Sequence, residues 1–230
     1  MIRLSSYAKV LCSSLAVLCT FAVPIAQAQI THEFNTVFRR LLDSDEDDPP
    51  LISRGDLCLI TPAAGEGIPA IWHEQPVIVF APGIIEKIAL RDEAAYDPND
   101  PYKSFWQHRP DPTASHVIYD GEPLQSGRIY RLDIYLDADA KSPTEFPDFG
   151  LLSENSRQII NDELAAEELP KDMDLPVEEL VAVQRADYFI EQGLRLDAIQ
   201  ALFNVETPSP ELAAIQQQMI EAACTPQEQS

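Results

Sequence analysis

Between residues 51 and 148 every apolar run is cut short by proline, glycine or aspartate, so this stretch has no room for long helices. What remains is a series of short strands: Leu57-Cys58-Leu59-Ile60, Val77-Ile78-Val79-Phe80, Ile84 to Leu90, His116-Val117-Ile118-Tyr119 and Ile129 to Leu136. In the last of these, Tyr130, Leu132, Ile134 and Leu136 alternate with Ile129, Arg131, Asp133 and Tyr135. A period of two predicts a strand with one buried face. Turn signals at Pro62 to Pro69, Pro82-Gly83, Asp97 to Pro101, Pro110 to Pro112, Asp120-Gly121 and Ser126-Gly127 separate the runs. Strands at such spacing predict a β-sandwich over 51–148.

The pattern changes to a helical one over 149–230. Ile159, Ile160, Leu164 and Leu169 follow Ser153-Glu154 and stop at Pro170. Pro176 restarts a helix with an apolar face of Leu180, Val183, Ala186, Phe189 and Ile190, and Gly193 suits its C-terminal cap. A shorter helix carries Leu196, Ile199, Leu202 and Phe203. Ser209-Pro210-Glu211 opens the last one with a serine cap, a first-turn proline and an acid at the positive end of the helix dipole. The residues past Cys224 are expected to be disordered. The chain is thus expected to be α+β, a sandwich followed by a helical region.

Residues 29–50 precede the strands. Phe34, Val37, Phe38, Leu41 and Leu42 have helical spacing, and Asp43-Ser44-Asp45-Glu46-Asp47-Asp48-Pro49-Pro50 reads as a solvated linker. Residues 1–28 read as a signal peptide. Arg3 and Lys9 precede a mostly apolar stretch from Val10 to Ile25, and Ala26-Gln27-Ala28 gives the small-x-small cleavage pattern. The stretch holds Pro24 and is shorter than the roughly 20 residues of a membrane-spanning helix. Leu11 before Cys12 and Leu18 before Cys19 do not fit a lipid-anchor signal. A periplasmic or extracellular protein results, with no stable membrane insertion once the leader is gone.

Two of the four cysteines, Cys12 and Cys19, leave with that leader. Cys58 and Cys224 remain, and in an oxidising compartment such a pair is expected to form a disulfide. The net charge is −22, and loss of Arg3 and Lys9 makes the remainder more acidic. Such a chain repels phosphate backbones, which argues against a nucleic-acid partner. Acidity is read chiefly as a solubility device, with basic proteins or divalent cations left open as partners.

Two local patterns and one spread over most of residues 51–224 resemble known families. Leu124-Gln125-Ser126-Gly127-Arg128-Ile129-Tyr130 resembles the tyrosine corner of fibronectin type III and other immunoglobulin-like domains. That resemblance implies that the Tyr130 hydroxyl bonds to backbone upstream, with Leu124 and Gly127 shaping the turn. Ala186, Phe189, Gly193, Ala198, Ile199, Leu202 and Pro210 resemble a tetratricopeptide helix pair, with Ala182 where that motif often has tryptophan and Asp197 where an acid is common. One pair cannot bury its own faces, so it must pack on the sandwich or on neighbouring helices. The strand pair around Cys58 and Trp72, Pro76 to Arg91, Tyr119 to Leu124 and Arg185 to Phe189 are similar to a group of secreted cyanobacterial proteins of unknown function.

Catalytic motifs fail one by one. His73-Glu74-Gln75-Pro76-Val77 starts like a zinc-protease helix, but Val77 replaces the second histidine and Pro76 breaks the helix. His32-Glu33-Phe34-Asn35-Thr36 fails at Thr36. No Gly-x-Ser-x-Gly elbow, P-loop or dinucleotide fingerprint occurs, and His32, His73, His108 and His116 show no ligand spacing. With 38 acidic residues, carboxylate pairs arise by chance and give a glycosidase reading no support. Asp43, Asp45, Asp47 and Asp48 lack the glycine and glutamate of a calcium loop, since Asp48 and Arg54 stand there. Arg54-Gly55-Asp56 is read as a coincidental adhesion tripeptide, and Glu163, Glu167 and Glu168 as a solvated helix face. Trp72 is expected in the core.

Tyr102, Phe105 and Trp106 remain as binding candidates, because aromatics on a sandwich loop stack on sugars or anchor a protein partner. The expectation is a non-catalytic interaction module, with no cofactor or metal, whose partner is an envelope protein or glycan. A carbohydrate-binding module and an enzyme of unfamiliar type are the alternatives. The leader makes a direct prediction: the exported protein starts at Gln29 by intact-mass analysis, and retention of Met1 would overturn the export reading.

Overall fold

The computed structural model describes residues 36–37, 39–41, 52–54, 57–62, 67–169 and 175–224. The expected leader, the acidic linker with its possible calcium ligands, Gly55-Asp56 and the tail past Cys224 lie outside these residues. The fold is α+β. Strands β1 (Ile52–Arg54), β2 (Leu57–Thr61), β4 (Val77–Phe80) and β7 (His116–Ile118) form one sheet in the order β1-β2-β4-β7. Strands β3 (Ala70–Ile71), β5 (Lys87–Asp92), β6 (Trp106–His108), β8 (Ile129–Tyr135) and β9 (Asp148–Leu151) form a second, ordered β3-β9-β8-β5-β6. All pairings are antiparallel except β3 with β9. Helices α1 (Glu154–Ala166), α2 (Val177–Glu191), α3 (Arg195–Phe203) and α4 (Pro210–Cys224) follow.

Strands β2 and β4 of the four-stranded sheet are buried on both faces, which explains why they are apolar without alternation. Leu57, Leu59, Ile78 and Phe80 point toward the second sheet and meet Ile88, Leu90, Leu132, Ile134 and Phe149. The intervening Cys58, Ile60, Val77 and Val79 point the other way, into a core shared with Leu180, Val183, Phe189, Leu202, Phe203, Leu212 and Met219 of the helices. Residues 36–37 and 39–41 are helical, and Val37 and Leu41 join this second core. The molecule therefore has three layers: sheet, sheet, helices. The helical region packs on the strands, as the lone helix pair required.

Local chemistry sets the helix ends. Ser153 accepts the Ser156 amide at 3.2 Å and Ser209 accepts that of Leu212 at 3.2 Å. Gly193 ends α2 at φ +71°, a left-handed conformation that other residues rarely adopt. The buried Glu179 carboxylate takes both the Ser209 amide (2.5 Å) and its hydroxyl (3.0 Å), fixing α4 against α2. Cys58 and Cys224 are joined by a disulfide with their Cα atoms 5.6 Å apart. The bridge ties β2 to the last turn of α4, which Cys224 closes. A closed loop spanning 166 positions is worth roughly 5 kcal/mol in chain-entropy terms, as an upper figure. No described helix is long and apolar enough to cross a membrane.

Three boundaries differ from expectation. The strand anticipated over Ile84 to Leu90 runs Lys87–Asp92, because the Pro82-Gly83 turn carries the chain further before pairing starts. Helix α1 stops at Ala166, before Pro170, and Pro176 is the cap of α2 rather than its first-turn residue. In β8, Asp133 and Tyr135 are buried although they alternate away from the sandwich core. A partner from β5 and a covering loop, described below, account for them.

The β3–β4 link is where the layers are joined. Asp197 of α3, 1% exposed, accepts the Trp72 amide (2.9 Å), the His73 amide (3.4 Å) and His73 Nδ1 (2.8 Å). One turn later the Gln200 side-chain oxygen accepts the Val77 amide at 3.0 Å. Arg157 of α1 donates to the Trp72 carbonyl at 2.9 Å, pairs with Glu74 and reaches Ser126 at 3.1 Å. Removing the carboxylate leaves three buried donors unsatisfied, at about 1–3 kcal/mol each. Asp197→Ala should therefore lower the free energy of unfolding by about 3 kcal/mol or more in denaturant titration, with Asp197→Asn distinctly milder. Equal stability of the two variants would show that the hydrogen bonds to this oxygen do not hold the layers.

Candidate functional site

The connection from β5 to β6 carries the aromatic candidates. Asp92 closes β5 and caps a short 3-10 turn over Glu93–Ala95 by accepting the Ala94 amide at 2.9 Å. Tyr96 follows. Asp97 then accepts the Asn99 amide (2.9 Å) and side-chain nitrogen (3.1 Å), and Asp100 and Lys103 donate their amides to the carbonyls of Asp97 and Asp100. Pro98 and Pro101 fix two more backbone angles. Phe105 donates to the Leu90 carbonyl at 3.0 Å and starts the pairing that β6 continues.

The loop is fastened from beneath. Arg91 grips Asp133 through Nε (2.5 Å) and Nη2 (2.8 Å), donates Nη1 to the Pro101 carbonyl (2.5 Å) and lies 5.5 Å from the Tyr102 ring centre. Asp133 is fully buried and Arg91 nearly so. The hydrogen bond to Asp133 raises the Arg91 ionisation, while burial pushes the Asp133 carboxyl up against the pull of Arg91. On the same outer face Lys87 stands over the Tyr135 ring at 3.7 Å, and Arg131 forks onto Asp148 at 2.7 and 3.0 Å with Glu93 nearby. The period-two reading of β8 missed this because Asp133 and its cation are 42 positions apart.

Tyr102 and Phe105 are 40% and 49% exposed, and Tyr96, which the sequence did not single out, is 58% exposed. Phe105 rests edge-on against Tyr119 and Tyr130, 6.3 and 6.0 Å between ring centres. Trp106 is placed differently. It pairs with Leu90 in register, so it shares the inner face of the sheet and is half-buried. Its indole nitrogen donates to Asp120 at 2.6 Å, its ring stacks on His108 at 5.8 Å, and Tyr119 meets it edge-on at 5.3 Å. Trp106 thus supports this connection, the ledge, from behind, while Tyr96, Tyr102 and Phe105 are its exposed rings. Trp72 is half-buried and packs on Phe189 at 5.4 Å.

The turn below the ledge is shaped by two tyrosines. Tyr130 accepts the Gln125 amide on its hydroxyl at 2.8 Å, beside the buried Leu124 and beside Gly127 at φ +74°. Tyr119 donates to the Glu122 carbonyl at 2.7 Å, passing over Gly121 so closely that a Cβ there would lie 2.3 Å from the hydroxyl oxygen. Glycine is required at 121 for that reason.

The remaining candidates are structural. His73 is buried with Asp197 and does not reach solvent, and His116 is partly buried against Phe203, where desolvation lowers its ionisation. Among the described residues no group of three or more His, Cys, Asp or Glu side chains is placed to hold a metal ion. The ledge offers exposed aromatic faces interspersed with carboxylates. No protein-family model, curated protein or solved structure matches the chain.

The ion pair makes the loop testable. Arg91→Met strands a buried carboxylate and should cost about 3–5 kcal/mol of stability, whereas the double variant Arg91→Met/Asp133→Leu should recover most of it. A double variant as unstable as the single one would show that the pair's charge balance is not what matters.

Proposed function

We propose that this chain is an exported, non-catalytic interaction module built on an immunoglobulin-like sandwich, binding an envelope protein through the ledge of Tyr96, Tyr102 and Phe105. The ledge carries the reading. Three large aromatic side chains, each 40% exposed or more, stand on one loop, and that loop is held by Arg91 at Pro101 and by two prolines. Exposed aromatics cost solubility and serve as anchors when they dock in a partner's pocket. A pre-fixed loop loses little conformational entropy on binding.

The sandwich assignment rests on topology and on one turn. The chain passes between the two sheets at β2–β3, β3–β4, β4–β5, β6–β7 and β7–β8, the repeated crossing of Greek-key arrangements. Tyr130, near the start of β8, meets backbone five positions upstream through its hydroxyl. Export is supported by the leader pattern and by the Cys58–Cys224 bridge, a bond favoured outside the reducing cytosol.

Immobilised secreted protein should capture a partner from envelope extract, and Tyr96→Ser/Phe105→Ser should lose it while keeping its circular dichroism spectrum. Identical captured sets would remove the ledge as the site.

A further inference from the structure

The ledge has a charge character as well as an apolar one. The segment from residue 92 to 122 holds seven carboxylates but two full cations of its own, Lys103 and Arg109. Three of the seven are committed: Asp92 pairs with Arg128, Glu93 with Arg131, and Asp120 takes the Trp106 indole N–H. Asp97 and Asp100 are placed otherwise. They lie within the sequence Tyr96-Asp97-Pro98-Asn99-Asp100-Pro101-Tyr102, so two carboxylates alternate with the ledge's own tyrosines on one fixed turn. Neither forms an ion pair among the described residues. The Asn99 hydrogen bonds hold the Asp97 carboxyl below its usual range, so it stays ionised into mildly acid solution.

The turn already accommodates one guanidinium on its inner side. Arg91 gives Nη1 to the Pro101 carbonyl and faces the Tyr102 ring. Aromatic faces and carboxylates side by side are the groups that attract Lys and Arg, through cation–π contact and charge-assisted hydrogen bonds. We infer that the partner of the ledge is a cationic protein segment whose Arg or Lys side chains lie against Tyr96 and between Asp97 and Asp100, with apolar neighbours on Phe105. This rests on the ledge being the binding surface and adds the chemistry of what binds there. An anionic glycan or lipid surface meets repulsion from the same carboxylates and from the whole chain at −22. A neutral glycan would stack on the rings and donate hydroxyls to the carboxylates, but its affinity would not fall with salt.

The test is a titration of the isotopically labelled secreted chain, followed by amide chemical shifts, with three probes. These are a peptide alternating arginine and leucine, the same peptide with glutamine for arginine, and a neutral β-linked hexasaccharide. The expected result is a response to the arginine peptide confined to the ledge and the residues around it. Affinity should fall several-fold when salt rises from roughly 50 to 300 mM, and by about tenfold in Asp97→Asn/Asp100→Asn. A response spread over the acidic helices, equal binding of the glutamine peptide, or no localised response overturns the inference. Binding of the hexasaccharide alone replaces it with a glycan. Envelope capture separates the two levels of the argument. If Tyr96→Ser/Phe105→Ser abolishes capture and Asp97→Asn/Asp100→Asn leaves it unchanged, the ledge stands and its cationic partner falls. If neither variant alters capture, both fall.

Discussion

The buried carboxylate of Asp197 is the point on which the three layers depend. It comes from the first turn of α3 and meets the link between β3 and β4, the strands that lie in different sheets. Its three N–H donors come from two successive residues, so one side chain fixes both the direction of the link and the orientation of His73. Arg157 holds the opposite edge of the same link through a carbonyl and Glu74. Apolar burial presses sheet and helices together without specifying how they are turned. These polar contacts supply the registration, because a shifted α3 would leave buried donors unpaired. The disulfide adds a second tie at the far end of the helical layer, where α4 returns to β2.

Much of this was legible in the sequence because the signals were local. Ser209-Pro210-Glu211, Gly193 and the turn-bounded apolar runs each carry their own chemistry, and each marks an element end in the structure. The unbroken apolarity of Leu57 to Ile60 and of Val77 to Phe80 held a further message, that these strands are covered on both faces. The second apolar face of β2 and β4 is the one that meets the helices. Boundaries slipped where competing signals lay within a few residues, as at Ile84 to Lys87, where an apolar run straddles a turn exit and a strand.

The ledge was only half legible. Exposed aromatics on a turn-rich loop were visible as residue types, which brought Tyr102 and Phe105 forward. Facing was not, because whether Trp106 points inward depends on its pairing with Leu90. Tyr96 was overlooked because its exposure is set by the tertiary structure and leaves no local mark. Arg91 and Asp133 illustrate the general obstacle. On paper each is a polar residue at an outward position of a strand, and polar outward positions normally meet water. Their neighbouring strands bring them together and the loop covers them, a tertiary fact with no local mark.

That hidden pair explains why the exposed rings are more than untidy surface. Burying Arg91 and Asp133 carries a desolvation penalty that a hydrophobic pair would avoid, so the pair is a weak device for stability alone. What it does supply is direction: the fork fixes the guanidinium plane, and the third nitrogen then fixes the Pro101 carbonyl and the ring beside it. A hydrophobic substitute would cover the same area without specifying where the loop stands. The Pro101–Tyr102 segment is therefore fixed by the strand beneath it, and the layers below, held by Asp197 and the Cys58–Cys224 bridge, give that setting something stiff to rest on.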